Sequence, residues 1–176
     1  MHKSGKIEKR FNKEEHLRMT KYYINQKFSL RDRFTILDEN QEDAFVAEGK
    51  FLSLGKRIKL FTMAGEELLF IKQKVLTILS QYDFYIGEEH LCEMKQEFTF
   101  FKKRYNIVTP AWRIEGDVWS LNYEIVEGNQ VIARIQKKWF SWMDAYEIDI
   151  FEEDYTELLL GIVIAIDADL ENSGSE

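Results

Sequence analysis

The chain has 176 residues, 45% hydrophobic and 31% charged, with a mean hydropathy of −0.38, so it has the balance of one globular domain with a real core and is neither disordered nor collagen-like. The single cysteine, Cys92, excludes an internal disulfide, and with no charged-then-apolar leader at the start a reducing, cytoplasmic setting is expected. The net charge is −7, and no segment carries the dense Lys/Arg stripe needed to neutralise a phosphate backbone, so nucleic acid is not an expected partner.

Residues 1–20 carry six Lys/Arg against three Asp/Glu and read as a mobile, mildly basic arm. From Lys21 to Phe151 short runs alternate apolar and polar residues between turn signals such as Asp38-Glu39-Asn40, Ala64-Gly65 and Gly87-Glu88-Glu89. They predict strands near 21–26, 33–37, 43–51, 56–62, 67–74, 81–86, 90–97, 98–108, 111–115, 118–126, 131–139 and 144–151. The clearest pair is a hairpin: Trp119, Leu121, Tyr123 and Ile125 share one face, and after Glu127-Gly128-Asn129-Gln130 the inner set continues with Val131, Ala133 and Ile135. A dozen short antiparallel strands imply a sandwich or a closed barrel, and closure removes the exposed edges.

The last segment breaks the pattern. Asp154 and Glu157 have capping-box spacing, and the nine residues from Leu158 to Ile166 have no polar side chain. This is too short for a membrane span. A helix apolar all round must be buried all round, and in a β protein the interior of a barrel offers that. The domain therefore spans 21–172, leaving a short tail at 173–176.

Candidate chemistry is sparse. His90 and Cys92, at i and i+2 on a strand, would share a face as a thiol–imidazole pair, but a zinc site lacks further ligands, and a polar histidine beside a core cysteine is the simpler reading. Asp144, Glu147, Asp149, Glu152, Glu153 and Asp154 invite comparison with calcium loops. The spacing does not fit, and Glu147 and Asp149 are expected on a solvated outer face opposite Tyr146, Ile148 and Ile150. No Gly-x-Ser-x-Gly elbow or phosphate loop occurs, so no catalytic activity, metal or cofactor is expected. In the hairpin 56–74, pairing Thr62 with Glu67 puts Arg57, Lys59, Lys72 and Lys74 on one face with Phe61, Leu68 and Phe70, and Ile58, Leu60, Leu69 and Ile71 on the other. Cations beside exposed aromatics suit an anionic headgroup.

The order and spacing of several segments resemble the bacterial branch of the LURP-one-related family, which is structurally allied to tubby carboxy-terminal domains and phospholipid scramblases. The segments are Lys21-Tyr-Tyr-Ile-Asn-Gln-Lys-Phe28, Asp32-Arg-Phe-Thr-Ile-Leu-Asp38, Glu48-Gly-Lys50, Gly65-Glu-Glu-Leu68, the strand from Tyr82 to Gly87, Trp112-Arg-Ile-Glu-Gly-Asp117 and Gly161-Ile-Val-Ile-Ala-Ile-Asp167. The resemblance implies a mainly β fold, a twelve-stranded closed antiparallel barrel around a buried C-terminal hydrophobic helix. The expected function is that of a non-catalytic, monomeric cytoplasmic binding barrel for anionic phospholipid headgroups or a protein partner, with Arg57, Lys59, Lys72 and Lys74 as ligand-binding residues. The competing readings are an interaction scaffold with no small-molecule ligand and a lipid-handling enzyme using His90 and Cys92.

Overall fold

The computed structural model describes residues 19–25, 33–50, 55–100, 102–139 and 144–173; the proposed arm, apart from Met19 and Thr20, and the last three residues lie outside them. All twelve expected strands form: β1 Thr20–Asn25, β2 Arg33–Asp38, β3 Asp43–Lys50, β4 Arg57–Thr62, β5 Glu67–Gln73, β6 Gln81–Ile86, β7 Glu89–Glu97, β8 Arg104–Ile107, β9 Trp112–Asp117, β10 Asn122–Glu127, β11 Gln130–Trp139 and β12 Asp144–Ile150. Each pairs with its neighbours in sequence, and β12 pairs antiparallel with β1 from Ile150↔Thr20 to Ala145↔Asn25, so the meander closes into a barrel. Closure leaves the alternate residues of every strand facing one interior. Ile24, Ile36, Ile58, Ile71, Phe84, Ile125, Ile135 and Ile148 are among the fully buried side chains there.

That interior is filled by α1, Thr156–Ser173, 18 residues or about 27 Å long. Every residue from 159 to 170 is buried, which only an enclosing wall can achieve. A 3-10 turn, Glu153–Tyr155, leads into the helix, and the hydroxyl of Thr156 donates to the Glu153 carbonyl at 2.9 Å. Gly161 lies where α1 passes closest to β5: a Cβ there would stand 2.3 Å from Leu69 Cδ2.

Two strand boundaries differ from expectation. The run 98–108 supplies a strand only at Arg104–Ile107, because Phe98 and Phe100 stay exposed and stack edge-on at 5.5 Å, while the Lys103 side chain turns inward. Trp119 and Leu121 belong to the β9–β10 turn, not to the strand; Leu121 holds a left-handed φ of 53° there and Trp119 is half exposed. In the hairpin that follows, a bulge at Ile132 lets Ile132 and Ala133 both point inward, so the alternation read from the sequence slips by one residue.

Candidate functional site

An up-and-down meander sorts its connections by parity. Those after odd-numbered strands gather at the end where α1 finishes, those after even-numbered strands at the end where it starts. Among the described residues, the connections at the helix-C-terminal end (55–56, 74–80, 98–100, 102–103 and 118–121) contain four lysines and no acid. Those at the opposite end (39–42, 63–66, 87–88, 108–111, 128–129 and 151–155) contain seven acids and no Lys or Arg. The lysine end also holds the most exposed apolar side chains: Leu76 and Ile78 are fully exposed, Phe98 is 73% and Phe100 84% exposed. Met63, Ile86 and Val108 at the acidic end are each about half covered.

The exposed pair sits on an anchored loop. The Lys74 N–H donates to the Gln81 carbonyl at 2.9 Å, and the Gln96 N–H to the Ser80 carbonyl at 2.9 Å, so the loop base is pinned to β6 and β7. Leu76 holds a φ of 64°, a left-handed conformation costly for a branched side chain, and projects fully into solvent.

Directly beneath this loop lies the basic hairpin. Its register is as expected through Arg57↔Lys72, Ile58↔Ile71, Lys59↔Phe70 and Leu60↔Leu69; nearer the turn a bulge at Leu68 shifts it, and the Thr62 N–H donates to the Glu66 carbonyl at 2.9 Å. The four cations do not act alike. Lys59 is bound to Glu67 at 2.7 Å and lies 5.8 Å from the centre of the Phe70 ring. Lys74 is drawn to Glu93 and, at 3.4 Å, to Asp83, and these carboxylates raise its pKa against the opposing effect of burial. Arg57 and Lys72 remain exposed, directly opposite one another on adjacent strands with no ion partner among the described residues. Like charges so placed repel, and an anion between them relieves the repulsion.

The other candidates resolve against chemistry. Phe84 faces Cys92 and Tyr85 faces His90, so Leu91 is a bulge that sends His90 outward and Cys92 inward. His90 Nε2 lies 3.1 Å from Asp83 Oδ1 on the outer face, whereas Cys92 is sealed in the core and burial pushes its thiol up to about 12. The proposed thiol–imidazole pair is therefore not formed. Glu147 and Asp149 do face outward, but they are covered rather than solvated: Lys21 reaches both at 3.1 Å, Lys138 reaches Glu147 at 3.2 Å, and Tyr23 donates to Glu147 at 3.0 Å. No cluster of three or more metal-ligating side chains occurs among the described residues.

One polar cluster had no clear signal in the sequence. Asp169, 3% exposed, accepts hydrogen bonds from Ser80, Tyr82 (3.2 Å), Tyr105 (2.7 Å) and Lys103 (2.9 Å), tying the last turns of α1 to β6, β8 and two connections. Burial alone would raise the Asp169 carboxyl; the donors and the Lys103 charge outweigh it and hold the carboxyl below its usual range. Both phenols are pushed up, by burial first and then by the carboxylate. Lys56 is fully buried nearby, its ammonium without a hydrogen-bond partner among the described residues, and burial lowers its pKa despite the attraction of Asp169.

A closed meander threaded by its own C-terminal helix defines a helix-centred β-barrel. The chain matches the LURP-one-related family over residues 20–167 and belongs to that family. It is 33% identical over 159 residues to the uncharacterized protein YxjI of Bacillus subtilis, covering 90% of this chain and 98% of that protein. The X-ray structure of a protein from Arabidopsis thaliana is similar in fold, with a TM-score of 0.62 at 14% identity, covering 86% of this chain and 91% of the other. No helix among the described residues is long and apolar enough to cross a membrane.

Proposed function

We propose that the protein is a peripheral binding barrel, acting as a cytoplasmic monomer, that sets its lysine end on a surface of anionic phospholipid. Arg57 and Lys72 take headgroup phosphates, and Leu76 and Ile78 enter the boundary of the acyl chains. The observation that carries this reading is the segregation of the connections: fully exposed apolar side chains stand among cations in those of one end, which carry no acid among the described residues, while those of the other end carry seven. Such a molecule is oriented in the field of an anionic surface before it touches it. The strength is of the right order. Burying two aliphatic side chains contributes about 1.5–3 kcal/mol each, and the three exposed cations Arg57, Lys72 and Lys102 about 1 kcal/mol each. The lower bound, about 6 kcal/mol, corresponds to a Kd in the tens of micromolar, suited to reversible attachment. The reading needs no chemical step.

Co-sedimentation with vesicles of phosphatidylcholine alone or mixed with phosphatidylserine, at low and high salt, tests it. Binding is expected only with the anionic lipid, weakening as salt rises, and is expected to be lost in a variant carrying both Leu76→Glu and Ile78→Glu. Equal binding to neutral vesicles, or none to either, overturns the reading, and none to either leaves the scaffold interpretation in its place.

A further inference from the structure

The barrel wall is not sewn evenly. β7 and β8 pair at four positions, from Met94↔Ile107 to Glu97↔Arg104, whereas β8 and β9 pair at only two, Asn106↔Arg113 and Ile107↔Trp112. Beyond those two pairs the strands part. Residues 114–117 of β9 keep their partners on β10 and have none on the β8 side, while Arg104 and Tyr105 are paired with β7 alone. A cleft of about 680 Å³ occupies the wedge between them, bordered by Lys102, Arg104, Asn106, Glu115 and Asp117, with Lys103 at its floor.

Two features define what the wedge accepts. The first is its backbone: along an antiparallel strand alternate residues turn their N–H and C=O groups to either side, so part of β9 presents an unused edge to the cleft. Another extended chain is the group that satisfies such an edge. The second is its charge. The acids are engaged: Glu115 is held by Arg113 at 3.1 Å, Glu97 by Asn106, and Asp117 accepts the Trp119 N–H at 3.1 Å. Lys102 and Arg104 are exposed and have no hydrogen-bond or ion partner among the described residues. Glu97 and Asp117 keep their charge, since Asn106 and the Trp119 N–H are neutral donors, but the two side chains of the wedge left without a partner among the described residues are both cations.

We propose that the β8–β9 wedge is a docking site for an extended, acid-rich segment of a protein partner. The segment adds as a strand to the open edge of β9, over about four residues at 3.4 Å per residue, and sets its carboxylates against Lys102 and Arg104. The site lies on the barrel wall; it shares Lys102 with the loop end, but its backbone edge and Arg104 take no part in the lipid docking proposed above.

Hydrogen exchange read by NMR on the intact protein provides the test, with a seven-residue peptide alternating Glu and Val as probe. In the free protein the β9 amides turned toward β8 should exchange rapidly beside the slow amides of β10 and β11. The peptide at millimolar concentration should protect them, while the same peptide N-methylated on alternate residues, or with Lys in place of Glu, should not. A variant carrying both Lys102→Glu and Arg104→Glu, with its melting temperature unchanged, should bind about tenfold more weakly, as loss of two exposed ion pairs requires. Protection of all these amides in the free protein overturns the proposal, as does no protection by the acidic peptide or equal protection by its N-methylated form. Protection that instead tracks protein concentration would show that a second copy fills the wedge, and would overturn it equally.

Discussion

Replacing Asp169 measures how far the last turns of α1 are held by one carboxylate. Asp169→Ala removes the acceptor for Tyr82 and Tyr105, whose rings are 0% and 1% exposed, for the Ser80 hydroxyl, and for Lys103. A buried donor left without an acceptor costs about 1–3 kcal/mol, and Lys103, which borders the β8–β9 cleft, can recover part of its loss from water. The expected destabilisation is about 3–5 kcal/mol; Asp169→Asn keeps one acceptor oxygen and should cost about half as much. With a urea m-value of about 2–3 kcal/mol/M, the alanine variant should unfold at a midpoint about 1–2 M below that of the native protein, at unchanged m. The pH dependence carries the sign. The folded-state pKa of Asp169 is depressed, so the carboxylate's stabilisation is complete above the unfolded value near 4 and is lost as pH falls through the lower folded value. The gap between native protein and the asparagine variant should thus be constant from about pH 8 to 5 and shrink below about pH 4. Urea titrations followed by tryptophan fluorescence at each pH decide the matter. An alanine variant within about 0.5 kcal/mol of the native protein, or a gap that widens in acid, refutes the argument.

Lys56→Met should raise the urea midpoint at neutral pH by removing a buried ammonium that has no hydrogen-bond partner among the described residues. Because the folded-state pKa of Lys56 lies below that of the free side chain, native stability should climb with pH between the two values and the variant should lose that slope; a lower midpoint would show the amine to be satisfied. Gly49→Ala places a Cβ 2.3 Å from the Arg57 carbonyl oxygen and 2.9 Å from Ile58 Cα, backbone atoms of β4 that cannot step aside, so thermal unfolding should show a loss of about 2–3 kcal/mol. Gly161→Ala meets side-chain ends rather than backbone, Leu69 Cδ2 at 2.3 Å and Ile71 Cδ1 at 3.3 Å, and gains about 1 kcal/mol of helix propensity, so its loss should be smaller; the reverse order would contradict the packing described. Cys92 should stay inert to a disulfide exchange reagent at pH 8 in the native state and react at once in denaturant; rapid native labelling would show that the core opens.

Local alternation made the strands legible because each strand's two faces meet different surroundings, core and solvent, whichever strand lies beside it. The helix was legible for the converse reason, since a run with no polar face admits only an all-apolar environment. What stayed hidden depends on partners distant in sequence. The bulge that separates His90 from Cys92 arises from the registry of β7 against β6, and nothing within Glu89–Glu97 announces it. Likewise Arg57, Lys59, Lys72 and Lys74 look equivalent along the chain, yet Asp83 and Glu93, from the neighbouring β6 and β7, take up Lys74 while Arg57 and Lys72 are left facing one another.

The polarity of the two ends lay closer to the surface of the sequence than the site residues did. Once twelve strands are taken as a meander, connections of odd and even order fall at opposite ends, and the run Val75-Leu76-Thr77-Ile78-Leu79 stands out as apolar where a turn should be polar. Part of the charge separation follows from the helix, whose dipole favours acids such as Glu153, Asp154 and Glu157 at its start and cations such as Lys103 at its finish. That dipole does not account for Leu76 and Ile78. No intramolecular term rewards two aliphatic side chains held wholly in water, one of them on a left-handed backbone. The electrostatic half of the pattern is thus partly a matter of folding, and the apolar half is what supports the proposed docking on a lipid surface.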